Sequence, residues 1–242
     1  TADGVSRGFN LSARQTDFDE RNIARFTTNS YASGVNFGYP ISETQRINFG
    51  ADIEFTDITE GRFPVLEIAE FLADEGDQFL NFSAELSWNA SRLNRGLFPT
   101  RGSSQSLSFQ VTTPGSDLQF FRFRYQGQRF FGLNQFLTLR LHTELGYGDG
   151  FGGTDGMPFF EHFFAGGFGS VRGFETNTLG PRATQSPNDP FRREPQPFGG
   201  NTLITGGVEL IFPVPFVDDQ SQFRPVVFVD AGNVFNTDCP RV

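Results

Sequence analysis

Strict alternation of apolar and polar residues, with charges returning to the same side in one segment after another, constrains this chain more than any other feature. Residues 47–55 place Ile47, Phe49, Ala51, Ile53 and Phe55 on one face of an extended chain and Asn48, Gly50, Asp52 and Glu54 on the other. Leu80, Phe82, Ala84, Leu86 and Trp88 likewise oppose Asn81, Ser83, Glu85 and Ser87. Phe121, Phe123 and Tyr125 oppose Arg122, Arg124 and Gln126, and Leu137, Leu139, Leu141, Leu145 and Tyr147 oppose Thr138, Arg140, His142, Glu144 and Gly146. A period of two is the signature of strands. Charges repeated on one face do not suit a dry sandwich core; they suit a water-filled lumen, with the apolar face turned to lipid.

Weaker alternation marks strands near 5–18, 30–42, 103–113, 201–213 and 223–236, which with the four above makes nine. Turn residues separate them: Asn94-Arg95-Gly96, Phe98-Pro99-Thr100-Arg101-Gly102 and Thr113-Pro114-Gly115-Ser116-Asp117. Gly61 to Gly76 reads as a long loop, in which Val65, Leu66, Ile68, Ala69, Phe71 and Leu72 fit a short amphipathic helix with no ligand to hold. The longest gap runs over about 152–200 and ends in a Pro-rich stretch from Ser186 to Pro197. Long and short connections alternate, as they do between the outer and inner ends of bacterial barrels, and nine strands cannot close the usual even-numbered barrel. The expected fold is therefore all-β: an antiparallel transmembrane β-barrel that is incomplete at both ends, with residues 1–242 forming one partial barrel domain.

Composition agrees. Among 242 residues there are 32 Phe but one Trp and four Tyr, while total hydrophobic content is 37% and mean hydropathy −0.33. A soluble chain this aromatic normally carries more aliphatic core, and no window approaches the ~18 apolar residues a membrane helix needs. A net charge of −9, with all nineteen basic residues Arg, argues against nucleic acid as a partner. Cys239, beside Pro240, is the single cysteine and can form neither an internal disulfide nor a thiolate metal cage. Thr1 is not followed by a charged and then apolar leader, so no signal peptide is read there.

His142 sits among lumen-facing positions and His162 among aromatics, with no Ser or Cys nucleophile in a recognisable setting. Phe151-Gly152-Gly153-Thr154-Asp155-Gly156 is a single weak match to a calcium-binding turn, and no phosphate-cradling loop occurs between a strand and a helix. The expectation is a protein that is not an enzyme and uses no cofactor, metal or catalytic residue.

One Arg lies among glycines and aromatics in Phe163-Phe164-Ala165-Gly166-Gly167-Phe168-Gly169-Ser170-Val171-Arg172-Gly173-Phe174. Tyr147-Gly148-Asp149-Gly150 and Met157-Pro158-Phe159-Phe160-Glu161 precede this segment and Asn177-Thr178-Leu179-Gly180-Pro181-Arg182 follows it. Together with Asp3-Gly4-Val5-Ser6, Leu93-Asn94-Arg95-Gly96-Leu97-Phe98-Pro99-Thr100, Pro114-Gly115-Ser116-Asp117 and Phe228-Val229-Asp230-Ala231-Gly232-Asn233-Val234, the ordered series resembles the BamA family of outer-membrane β-barrel assembly factors, within the POTRA-containing insertase and translocator superfamily. The resemblance covers nearly the whole chain. It implies that residues 152–200 are the sixth extracellular loop, that its motif Val171, Arg172, Gly173 and Phe174 folds back into the lumen, and that Arg172 meets Glu209 and Asp230 on the inner wall.

The residues themselves bear on that pairing. Glu209 falls on the face opposite Val208 and Leu210, and Asp230 interrupts the apolar run Val226 to Ala231, where an uncompensated carboxylate is costly. The alternative is that both carboxylates face lumen water.

By the resemblance, such a protein folds and inserts β-barrel proteins into the bacterial outer membrane without ATP, by pairing an incoming strand with the edge exposed at a lateral seam. The implied partners are unfolded barrel clients, lipoproteins of the assembly complex reached mainly through the POTRA domains, and outer-membrane lipid with lipopolysaccharide. The POTRA domains and the first and last barrel strands are expected to lie outside this sequence. Two other readings stay open: a two-partner-type secretion pore sharing the loop arginine, and a passive porin or adhesin.

Overall fold

The computed structural model describes residues 4–18, 23–189, 194–213 and 224–237. Asp3, residues 190–193 of the Pro-rich stretch, and Cys239 with Pro240 lie outside the described residues. Nine strands are described: β1 Ser6–Asp17, β2 Phe26–Ser42, β3 Gln45–Glu60, β4 Gln78–Ser91, β5 Gly102–Thr112, β6 Phe120–Gly132, β7 Thr138–Gly150, β8 Thr202–Ile211 and β9 Val226–Phe235. They form one antiparallel sheet in sequence order, and among the described residues β1 does not pair with β9, so the sheet is open. This is the partial barrel that the alternation predicts. β3, β4 and β6 run a few residues past their strictly alternating segments, β3 to Glu60, whereas β1, β8 and β9 are shorter than the expected 5–18, 201–213 and 223–236.

The register shows why the pattern had to be periodic. Phe37, Phe49, Leu86, Phe109, Phe123 and Tyr147 pair in succession across six strands. They make a row on the outer face, where Phe49 and Leu86 remain about half exposed. One residue along, Asn48, Ser87, Ser108, Arg124 and Gly146 make the matching inner row. Asn48 Nδ2 donates to Ser87 Oγ at 3.2 Å, Ser106 Oγ to Asn89 Oδ1 at 2.9 Å, and Arg124 pairs with Glu144. Backbone groups are satisfied strand to strand, which is what lipid requires of a spanning sheet. Among the described residues no helix is long and apolar enough to cross a membrane.

At the long-loop end the inner face changes character. Phe26, Ile58, Phe79 and Phe120 occupy the same alternate positions as the polar inner rows, yet all are buried with Phe18, Leu118 and Phe159 in one apolar cluster. Many of the phenylalanines therefore face inward rather than lipid, which strand periodicity alone does not reveal. The helix expected between β3 and β4 is α1, Leu66–Glu75, and it caps this cluster. Its Ile68 is fully buried, and its Phe71 ring lies 5.9 Å from Phe79 and 5.1 Å from Phe159. The start of α1 is tied to the long loop, since Leu66 N–H donates to the Thr184 carbonyl and Thr184 N–H to Glu67 Oε1 at 2.8 Å. Inner-face apolar residues occur here because loops, not water, cover the strand ends.

Phe79, 1% exposed, touches both α1 and the loop. Phe79→Ala is expected to lower the unfolding free energy of the full-length protein in detergent by about 3–5 kcal/mol, the usual cost of emptying an aromatic site. Urea titration followed by tryptophan fluorescence measures it.

Candidate functional site

The connection between β7 and β8 folds onto the inner face of the sheet. Phe163 and Gly200 exchange both backbone hydrogen bonds, at 2.8 and 3.1 Å, and Leu179 N–H donates to the Ala165 carbonyl at 3.0 Å. Gly166 and Gly167, with φ of 110° and 88°, turn the chain inward through backbone angles that side-chain-bearing residues avoid. Met157, Phe163, Ala165, Leu203 and Val234 then form a second apolar cluster beneath the turn. Gly146 makes room for it, because a Cβ there would meet the Phe163 ring at 2.7 Å.

This packing delivers Arg172 to the inner wall of β8 and β9. Its Nε and Nη2 donate to the two oxygens of Asp230 at 2.6 and 2.7 Å, and its backbone N–H donates to Asp230 Oδ2 at 3.1 Å. Nη2 also lies 2.7 Å from Glu209 Oε1. Side-chain exposures are 13% for Arg172, 8% for Glu209 and 1% for Asp230, so both carboxylates face the guanidinium more than water. The second oxygen of Glu209 accepts from Arg140 Nη1 at 2.9 Å. Two guanidiniums thus balance two carboxylates in a nearly closed site. Such bidentate charge-assisted bonds are directional as well as strong.

Residues missed in the sequence complete the clamp. The Arg172 guanidinium carbon stands 3.6 Å from the centroid of the Phe228 ring, a cation–π contact. Counting two residues back from Asp230 puts Phe228 on the inner face, but an apolar residue in an apolar run gives no sign of which side it serves. Arg140 was legible as inward-facing; its pairing with Glu209 depends on the β7–β8 register. Gly207 lies opposite Asp230, where a Cβ would run into the carboxylate and the His142 ring. His142 Nε2 is 3.8 Å from Asp230 Oδ1, and its Nδ1 is the one buried side-chain polar atom without a partner among the described residues. Of the remaining motif residues, Val171 is buried, Gly173 has φ of 93° and Phe174 is 54% exposed.

A second anchor holds the start of the loop. Arg122 Nη1 contacts Glu161 Oε2 at 2.7 Å and its guanidinium lies over the Phe163 ring. The neighbouring His162 is buried, with Nδ1 3.0 Å from the Phe198 carbonyl and Nε2 3.2 Å from that of Met157. Burial holds its pKa below the ordinary histidine value, against the pull of the two carbonyls. His162 is therefore a structural tie within the folded loop.

A spanning antiparallel sheet with an inner polar face and an arginine-locked inward loop defines a class: an integral membrane β-barrel. The model of the Omp85 superfamily domain matches residues 1–241, and the chain belongs to that superfamily. It is similar to the outer membrane protein assembly factor BamA of Neisseria meningitidis serogroup B, with 32% identity over 248 residues that cover 98% of this chain and 30% of that protein. A SAM50-like protein of Schizosaccharomyces pombe is 24% identical over 195 residues, 78% of this chain and 37% of its own length. The crystal structure of BamA from Haemophilus ducreyi lacking POTRA domains 1–3 matches with a TM-score of 0.89 and 30% identity, over 98% of this chain and 48% of that one. The chain thus spans roughly a third of the curated relatives and about half of the crystallised chain.

The His162 geometry sets a pH dependence. Its folded pKa is depressed, so its stabilising contribution is complete above the unfolded value of about 6.5 and declines as pH falls below that value, by at most ~1.4 kcal/mol per pH unit. Urea midpoints of the full-length protein between pH 7.5 and 5.5 should show this loss, and a His162→Gln variant should lack that component.

Proposed function

We propose that this chain is the central part of the barrel of an outer-membrane β-barrel assembly factor, which folds and inserts barrel proteins without ATP or covalent chemistry. The observation that carries the reading is the extent of the likeness: 98% of the chain follows the barrel of BamA from Haemophilus ducreyi at a TM-score of 0.89. In this reading residues 152–200 are the sixth extracellular loop, and the POTRA domains and the first and last strands belong to the rest of the full-length protein. Clients arrive as unfolded barrel proteins, the assembly lipoproteins engage mainly the POTRA domains, and lipid and lipopolysaccharide surround the outer face.

The mechanism rests on strand templating. A barrel that opens between its terminal strands exposes unpaired N–H and C=O groups, and an incoming strand satisfies them while gaining the register they impose. Opening one seam without slackening the wall elsewhere needs a brace. Arg172 supplies it by tying the loop to two neighbouring strands through Glu209 and Asp230, with Phe228 beneath the guanidinium. Arg122 and Glu161 fix the other part of the loop to β6. The role of Val171, Arg172, Gly173 and Phe174 is mechanical in this account, not catalytic.

Complementation with full-length protein tests it, scoring assembly of heat-modifiable barrel clients. Arg172→Ala is expected to reduce assembly several-fold, and adding Glu209→Ala or Asp230→Ala should worsen it little further. Wild-type assembly by Arg172→Ala would contradict the brace, and normal client assembly in cells depleted of the protein would contradict the assembly function itself.

A further inference from the structure

The segment Leu93 to Thr100 plays no part in the loop clamp, yet it builds a site of its own at the short-turn end. A cavity of about 380 Å³ lies between the β4–β5 turn, the β6–β7 turn and the two ends of the β8–β9 connection, Phe212 and Pro213 at its start and Arg224 at its end. Arg95, Arg101 and Arg224 line it together with Asn134 and Phe136, and none of its described lining residues is acidic. This sets it apart from Arg122, Arg124, Arg140 and Arg172 on the inner wall, each of which has a carboxylate. Among the described residues these three guanidiniums have no acidic partner, and in a chain of net charge −9 such a cluster calls for an anion from elsewhere.

The backbone of two of its turns is also fixed. Asn94 Oδ1 accepts from the backbone N–H groups of Thr100 and Arg101 at 3.0 and 3.1 Å, which fixes the first turn. Asn134 Oδ1 accepts from those of Phe136 and Leu137, both at 2.7 Å, which fixes the second. Arg224 is held over the Phe98 ring and donates to the Phe98 carbonyl at 3.3 Å, with no acidic partner among the described residues. Arg95 and Arg101 remain exposed. With the turn backbones fixed, binding has only side chains left to order.

The geometry points to a docking site for a carboxylate-rich polypeptide segment at the periplasmic mouth of the barrel. Short turns mark the periplasmic end of bacterial barrels. The cavity lies on the inner side of the wall, because Gly132, Thr138 and Ile211, which line it, share the inner face with Arg140 and Glu209. A lipid headgroup approaches from the outer face, whereas a polypeptide at the lumen entrance reaches the inner one. Exposed Phe136 and the amides of Asn134 and Gln135 add the apolar and hydrogen-bonding contacts that a peptide, but not a bare phosphate, uses.

Fluorescence anisotropy with a labelled hexaglutamate peptide and the full-length protein in nanodiscs tests this. Binding should be saturable, weaken at least ten-fold in R95Q/R101Q/R224Q and fall with added salt, while a hexaglutamine peptide does not bind. Heat-modifiable migration of the triple variant shows that it is folded. Equal binding of both peptides, or no effect of the triple change, overturns the proposal. So does full competition by millimolar inorganic phosphate, which makes the site a simple phosphate site, or competition by anionic lipid added to the nanodisc, which makes it a headgroup site. Asp218 and Asp219 lie in the same connection as Arg224. Hexaglutamate binding that appears only in D218N/D219N would mean that the chain fills its own site, and would also overturn the proposal.

Discussion

A guanidinium held between two carboxylates on the inner wall is the interaction on which the rest of this structure depends. Arg172 reaches Asp230 and Glu209 only because the chain between β7 and β8 folds back over the sheet, and the fold-back is held by an apolar cluster and a few backbone bonds. The charges must balance there. Asp230 is all but sealed from solvent, and a buried carboxylate left alone costs several kcal/mol. Arg140 on the far side of Glu209 brings the count to two cations and two anions. The clamp thus fixes register between β7, β8 and β9 as much as it fixes the loop.

The inner face is divided along its length by what covers it. Midway, hydroxyls, amides and ion pairs face the lumen; at the long-loop end α1 and the β7–β8 connection replace water, and the same alternate positions become Phe26, Ile58, Phe79 and Phe120. At the opposite end the turns carry arginines with no acidic partner among the described residues. A single strand periodicity therefore serves three environments: an apolar cap, a polar and ion-paired middle, and a cationic mouth. The outer face stays uniform because lipid is its only neighbour.

Strand number and order were legible because lipid on one side and lumen on the other enforce strict alternation; Ile47 to Phe55 and Leu80 to Trp88 read off directly. The inward loop was suggested by Arg172 among glycines, and the wall partners by the cost of an acid at Asp230 within an apolar run. Phe79 and Phe120 were not assignable, since periodicity tells which face a residue shares but not whether water or protein covers that face. Phe228 escaped for the same reason: it is apolar, like the lipid-facing Val227 and Val229 beside it. Arg140 was placed on the correct face, but its partner depends on register, which no single strand encodes.

A double-mutant cycle on Arg172 and Asp230 tests the clamp most directly, with unfolding free energies of full-length protein measured for Arg172→Ala, Asp230→Ala and the pair. The account predicts single losses of about 3–5 kcal/mol from each orphaned charge. It also predicts a pair far less damaging than their sum, leaving a coupling of roughly 2 kcal/mol or more. Losses that add within about 0.5 kcal/mol would show that the two residues stabilise the barrel independently, and the loop would then not be held by this interaction.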